Sequence, residues 1–317
     1  AGKSSTIITM SPAGYAFELG RSGSRITGIG FKNGRIDTEG YDFRVDHCDF
    51  NNDLFSTTIV IGNSIANTPD IPTGLIDHNT FNNGRVLSRG TLATAAGENY
   101  LWANSLNLGS AEAVYVEDNV FTNSVEAMDG NYGGRIVYRY NMSTGSYLYL
   151  HPLQQANHRA MRKWEVYGNI INSGTDWTVF SPMWWTGGTG VTFFNSSPGT
   201  RFRFNKILLS NKRSYSTYPT DNNTDGDGRC DGDNQIDGNK DSYGWPCRDQ
   251  IGRDLDIPQW VNNDGPWAQT SAPAYFWGNR DGSNVNVAVM VTPDGSQNVI
   301  KANRDFYDYN ASFNGTS

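Results

Sequence analysis

The sequence predicts an all-β fold: a right-handed parallel β-helix, a solenoid with long loop insertions and a C-terminal capping region. Three observations predict it. A short pattern recurs over about residues 26 to 210, and several of its copies run into small polar turn residues. The composition also favours turns and strands. Glycine accounts for 35 of 317 residues, aromatics for 13% and charged residues for only 18%. Long stretches of the helix formers Ala, Leu, Glu and Lys are absent.

The pattern reads apolar, two variable residues, Asn or Cys, one residue, apolar. It begins as Val45-Asp-His-Cys48-Asp-Phe50 and returns as Ile76-Asp-His-Asn79-Thr-Phe81 and Val116-Glu-Asp-Asn119-Val-Phe121. Later copies are Val166-Tyr-Gly-Asn169-Ile-Ile171 and Phe202-Arg-Phe-Asn205-Lys-Ile207. Tyr138-Arg-Tyr-Asn141-Met-Ser143 is degenerate at its last position, and Ile26-Thr-Gly-Ile29-Gly-Phe31 carries Ile at the Asn place. A strand points its apolar residues inward, and Asn tolerates the left-handed backbone of a tight corner. Its amide can also bond along a stack of like residues. The unequal spacing of the central residues implies coils with insertions, which excludes leucine-rich, propeller and helical arrays. A β-sandwich would show cleaner alternation, hairpin turns and no phased Asn.

Residues 1–215 are read as the coils and 216–250 as an Asp/Gly-rich loop. Residues 251–317 lack the pattern and are read as a cap on the last coils, covering open strand edges. The net charge of −7 argues against nucleic acid as a partner, since phosphate binding needs clustered Lys and Arg. No apolar run approaches the roughly 18 residues of a membrane span. The chain opens Ala1-Gly2-Lys3 without a signal pattern and reads as a trimmed or mature product. Cys230 and Cys247 flank a polar loop, which suits a disulfide in an oxidising compartment. Cys48 reads as a small buried residue.

With the repeat in place, the sequence resembles the pectate-lyase-like superfamily of right-handed parallel β-helices. Trp164-Glu-Val-Tyr-Gly-Asn169, Gly244-Trp-Pro-Cys-Arg-Asp-Gln-Ile-Gly252 and Asn303-Arg-Asp-Phe-Tyr307 resemble segments of large secreted bacterial β-helix proteins that are mostly uncharacterised. The resemblance implies an extracellular protein whose partner is a polysaccharide or other glycan. Lyases of the superfamily neutralise a uronate with calcium or a basic side chain and use Arg or Lys as base, and its hydrolases use Asp pairs. Neither signature is complete here, so no catalytic residue is carried over from it.

Three constellations could carry chemistry. The segment from Glu126 to Lys163 holds a dense basic group and two of the four histidines, His151 and His158. Proton abstraction beside a uronate needs a base and a cation. Arg139, His151, Arg159, Arg162 and Lys163 are the right types, with Glu126, Asp129 and Tyr132 as substrate contacts. The same cations could instead be solvent-facing strand positions that pair across coils. His47 and His78 hold equivalent repeat positions and read as an outward stack, whereas His151 breaks that pattern.

The second constellation is the run Trp177, Phe180, Trp184, Trp185. Exposed indoles can stack on sugar rings, and buried ones would form a satellite core. The third lies between Asp221 and Asp241. Asp221, Asn223, Asp225, Asp227, Asp231, Asp233 and Asp237 alternate with Gly and suit a hard cation, although the closing Glu of an EF-hand is missing. A structural calcium is expected here in preference to a merely solvated acidic loop. The functional expectation is an extracellular carbohydrate-active protein, a polysaccharide lyase or glycoside hydrolase. Its rival is a non-catalytic glycan-binding, surface, filament or phage-tail-type β-helix. Oligomeric state is left open.

Overall fold

The computed structural model describes residues 6–10, 15–38, 41–62, 71–90, 101–151, 159–172, 182–197, 204, 206–210, 249–256, 269–293 and 296–309. The chain is an all-β parallel β-helix. Each coil supplies strands to three runs, here called faces I, II and III.

Face I is a nine-stranded parallel sheet running from Arg25–Thr27 through Phe43–Asp46, Gly74–Asp77, Val114–Glu117, Arg135–Arg139, Lys163–Tyr167, Thr189–Phe193 and Ala274–Trp277 to Phe306–Tyr309. Face II carries Ile7–Thr9, Gly30–Lys32, Val120–Thr122, Met142–Thr144 and Ile170–Asn172. Face III carries Tyr15–Leu19, Arg35–Thr38, Glu126–Asn131, Tyr147–Leu150, Met183–Trp185, Lys206–Leu209 and Ala288–Val291. Two long strands, Asp49–Ile61 and Thr80–Arg89, pair with both of these faces and join them into one sheet.

The repeat explains the core. Phe31, Phe50, Phe81 and Phe121, the last apolar position of successive copies, form a buried stack. Their ring centroids lie 4.9, 4.8 and 4.5 Å apart with planes within 8° of parallel. Ser143 takes that place in the degenerate copy, in register with Phe121. The space is filled from face I by Tyr138, whose hydroxyl meets Ser143 Oγ at 2.8 Å.

The corner between faces I and II is a buried asparagine ladder. Asn79, Asn119, Asn141, Asn169 and Asn195 each donate a backbone N–H to the side-chain oxygen of the next Asn, the last being Asn279, at 2.9–3.2 Å. Cys48 N–H opens the ladder on Asn79. Each of these Asn donates its amide to a face I carbonyl of the preceding coil, from Val45 for Asn79 to Thr192 for Asn279.

Three expectations need correction. The left-handed residue of the corner is not the Asn but the one before it: His47, His78, Asp118, Tyr140, Gly168, Phe194 and Gly278. The ladder continues from Asn169 through Asn195 and Asn279, which the repeat as read did not include; the copy read at Asn205 lies outside the described residues. The stack also does not end near residue 215. Ala274–Trp277 and Phe306–Tyr309 extend face I in parallel register, and Ala288–Val291 extends face III, so part of the expected cap is further coil.

Candidate active site

The site is built on the outer side of face III, and a bulge creates it. Glu126 pairs with Tyr147, but the next matched pair is Met128 with Leu148, so Ala127 is an extra residue. In a regular strand residues 126 and 129 would point to opposite sides. The bulge puts both carboxylates on the same side, and bulges commonly re-aim side chains in this way. A second register shift, between Thr57 and Ile59, sits beside Arg85 on the neighbouring coils.

Arg85 joins the two acids. Its Nη1 donates to Asp129 Oδ2 at 2.7 Å and also to Glu126 Oε2. Its Nε donates to Thr57 Oγ1 at 2.8 Å, and its guanidinium lies 5.4 Å from the Phe55 ring centroid. Tyr147 donates its phenol to Glu126 Oε1 at 2.5 Å. His151 Nε2 lies 2.8 Å from Asp129 Oδ1. The carboxylates are well removed from water, with side-chain exposures of 7% for Glu126 and 3% for Asp129. Electrostatic interactions are stronger in such a setting than at an open surface.

One outward row follows the register from Leu87 to Asp129, Tyr149 and Trp184. Tyr149 lies 4.3 Å from the His151 ring and 5.1 Å from Trp184. Arg89 stands over the Tyr132 ring at 5.3 Å, and burial pushes its guanidinium below the usual range. The recess thus joins two acids, an imidazole, guanidinium groups and a line of aromatic rings.

The five expected catalytic residues do not converge. Only His151 lies in this recess. Arg139 is on face I, where it pairs with Glu117, donates to the Tyr167 hydroxyl at 3.0 Å and lies against Tyr115, Tyr140 and Tyr167. Arg139 is in register with Tyr167, whereas Lys163 aligns with Arg135, so Arg139 and Lys163 stand at different positions along face I.

Arg159, Arg162 and Lys163 are buried ties. Arg159 makes two 2.7 Å bonds to Asp249, and Arg162 bonds Asp254 and the Asn104 carbonyl. Lys163 bonds the Asn107 carbonyl at 2.7 Å and lies 3.0 Å from Glu165. Arg135 donates to the carbonyls of Leu101, Asn104 and Ser105. Trp102 is held beneath Arg159 and Arg162, at 4.7 and 5.0 Å. These cations fasten the segment around residues 101–107 to the coil. Burial lowers Lys163, and it lowers Arg135 to about 10.

The expected Trp cluster divides. Trp184 points outward on face III, while Trp185 points into the core, packs on Trp164 at 5.5 Å and donates to Thr192 Oγ1 at 3.1 Å. Trp177, His158, the seven Asp/Asn candidates for calcium, Cys230 and Cys247 lie outside the described residues. Among the described residues no group of three or more His, Cys, Asp or Glu side chains is arranged to hold a metal. Cys48 is buried, and burial raises its thiol, in keeping with a packing role. No described helix is long and apolar enough to cross a membrane.

Arg85, Tyr147 and Tyr149 were not anticipated. The available signal was the outward alternation within Arg85-Val-Leu87 and Tyr147-Leu-Tyr149, which becomes informative only once the register is known. Comparison of the chain with protein-family models, curated proteins and solved structures finds no match.

Proposed function

We propose that the protein is an extracellular carbohydrate-active enzyme that hydrolyses an extended polysaccharide laid along face III. The observation that carries this reading is the meeting of Glu126 and Asp129 on one nitrogen of Arg85. Glycoside hydrolysis needs two carboxyl groups: one protonates the leaving oxygen, and the other attacks the sugar carbon or activates water. Sharing one hydrogen-bond donor keeps their nearest oxygens within about 6 Å, two hydrogen-bond lengths. That spacing suits the retaining mechanism, at roughly 5–5.5 Å, better than the inverting one, at roughly 6.5–9.5 Å.

Tyr147 and His151 orient the two acids. Trp184, partly exposed on the same row, offers a ring on which the apolar face of a sugar can pack, with the buried Tyr149 packed beside it. The resemblance of the repeat to secreted β-helix proteins supports the extracellular, glycan-directed part of the reading.

The rival reading is a non-catalytic glycan-binding solenoid. It draws support from the same ion pairs, because Arg85 is already paired with both acids. A screen against acidic and neutral polysaccharides separates the two. New reducing ends should appear and should fall by at least about 100-fold in Glu126→Gln and Asp129→Asn, the usual scale for losing a general acid or base. Ultraviolet-absorbing unsaturated products would identify a lyase. Binding without any cleavage would leave the solenoid as a binding module.

A further inference from the structure

The corner row on face I carries a second arrangement, remote in function from the face III recess. His47 and His78 occupy equivalent places on adjacent coils, since Asp46 aligns with Asp77 and Asp49 with Thr80. Both have left-handed backbones, with φ of 54° and 55°, which throws their side chains outward at the turn. The imidazoles are stacked with centroids 5.1 Å apart and planes 2° from parallel.

Each ring is oriented by the residue before it. His47 Nδ1 lies 2.7 Å from Asp46 Oδ2, and His78 Nδ1 lies 2.8 Å from Asp77 Oδ2. An ionised carboxylate can only accept, so it places the ring proton on Nδ1 and leaves Nε2 as a lone-pair donor. Each acid is also held by a guanidinium of the same face: Arg25 donates to Asp46 at 2.7 and 2.8 Å, and Arg44 donates to Asp77 at 2.9 and 2.8 Å. The imidazole side chains themselves are 58% and 54% exposed.

We propose that His47 and His78 form a two-histidine surface site for a divalent transition-metal ion of the zinc, copper or nickel type. Neutral imidazole nitrogen suits these ions, and a carboxylate behind the ligating ring is the usual support for a metal-bound histidine. Zinc–nitrogen bonds of about 2.0–2.1 Å require the Nε2 atoms to lie no more than about 4.2 Å apart. The rings must therefore tilt towards each other, a movement open to two exposed side chains. Water completes the coordination. Asp118 holds the next place in the row, with the same left-handed backbone, and sets an exposed carboxylate one coil away.

The test is titration calorimetry with zinc chloride, in excess calcium to occupy any oxygen-ligand site. The variants are His47→Asn and His78→Asn, since Asn tolerates the left-handed backbone and the fold is kept. Thermal melts confirm that they remain folded. The expected result is one zinc per chain, with affinity at least tenfold lower in each single variant. Asp77→Asn should weaken binding by about 10–100-fold, as loss of an outer partner does. Absence of zinc binding in the parent, or unchanged affinity in the His47→Asn/His78→Asn double variant, would overturn the proposal.

Discussion

Single residues decide the character of the recess on face III. Without the extra residue Ala127, Glu126 and Asp129 would lie on opposite sides of their strand, and Arg85 could not bridge them. Tyr147 supplies the hydroxyl that holds Glu126. A hydrogen bond to a charged group contributes about 1.5–3 kcal/mol. Tyr147→Phe should therefore lower the cleavage rate by roughly 10- to 100-fold. The same bond is lost from the folded chain, so the melting temperature should fall as well. Steady-state kinetics beside a thermal melt checks both halves.

Sequence reading takes Glu126 and Asp129 as substrate contacts and His151 as catalytic, and groups them with Arg139, Arg159, Arg162 and Lys163, which lie elsewhere. A dense run of Arg and Lys looks the same whether it faces substrate or lies buried. Only the coil register shows that Arg159, Arg162 and Lys163 face Asp249, Asp254 and backbone carbonyls.

At the scale of elements, the outer side of face I near the N-terminus is a ladder of alternating charge. Arg25 donates to Asp46 at 2.7 and 2.8 Å, and Arg44 donates to Asp77 at 2.9 and 2.8 Å. Both acids titrate below their ordinary value in the folded chain. Their stabilising contribution is thus fully present above the ordinary carboxylate value of about 3.9 and is lost as pH falls through the lower folded values. Thermal melts from pH 5 down to pH 2 should show a steep acid limb. Asp46→Asn with Asp77→Asn should flatten it, and an unaltered limb would remove the ladder from the account.

The pairing of these strands was legible because the motif is local, with six residues fixing one corner. Met183–Trp185 was harder, because adjacent Trp residues in a strand take opposite fates and a list of aromatics cannot tell which is inside.

Across the whole molecule, the Asn ladder is the continuous feature, running from Asn79 to Asn279. Its members are buried and fully engaged, so each removal strands partners on two coils. Asn119→Ala would leave the backbone N–H of Asn79 and the carbonyl of Ile76 without their partner. Each orphaned group costs about 1–3 kcal/mol, so the variant should lose at least about 2 kcal/mol in denaturant unfolding. In a solenoid each coil leans on its neighbours, so the loss should spread beyond one coil.

The first rungs were readable from sequence, since their spacing stays within a few tens of residues. Asn195 and Asn279 were not, because Thr192 and Ser197 stand at the motif's apolar places around Asn195 and a long insertion precedes Asn279.

The most direct measurement of the central claim compares two variants on whichever polysaccharide the parent cleaves. Asp129→Asn alters the face III recess, and Arg139→Gln alters the basic, aromatic surface of face I. The account predicts that reducing-end release falls at least about 100-fold in the first and stays near the parent rate in the second. Loss of activity in Arg139→Gln with retention in Asp129→Asn would place the chemistry on face I and contradict it.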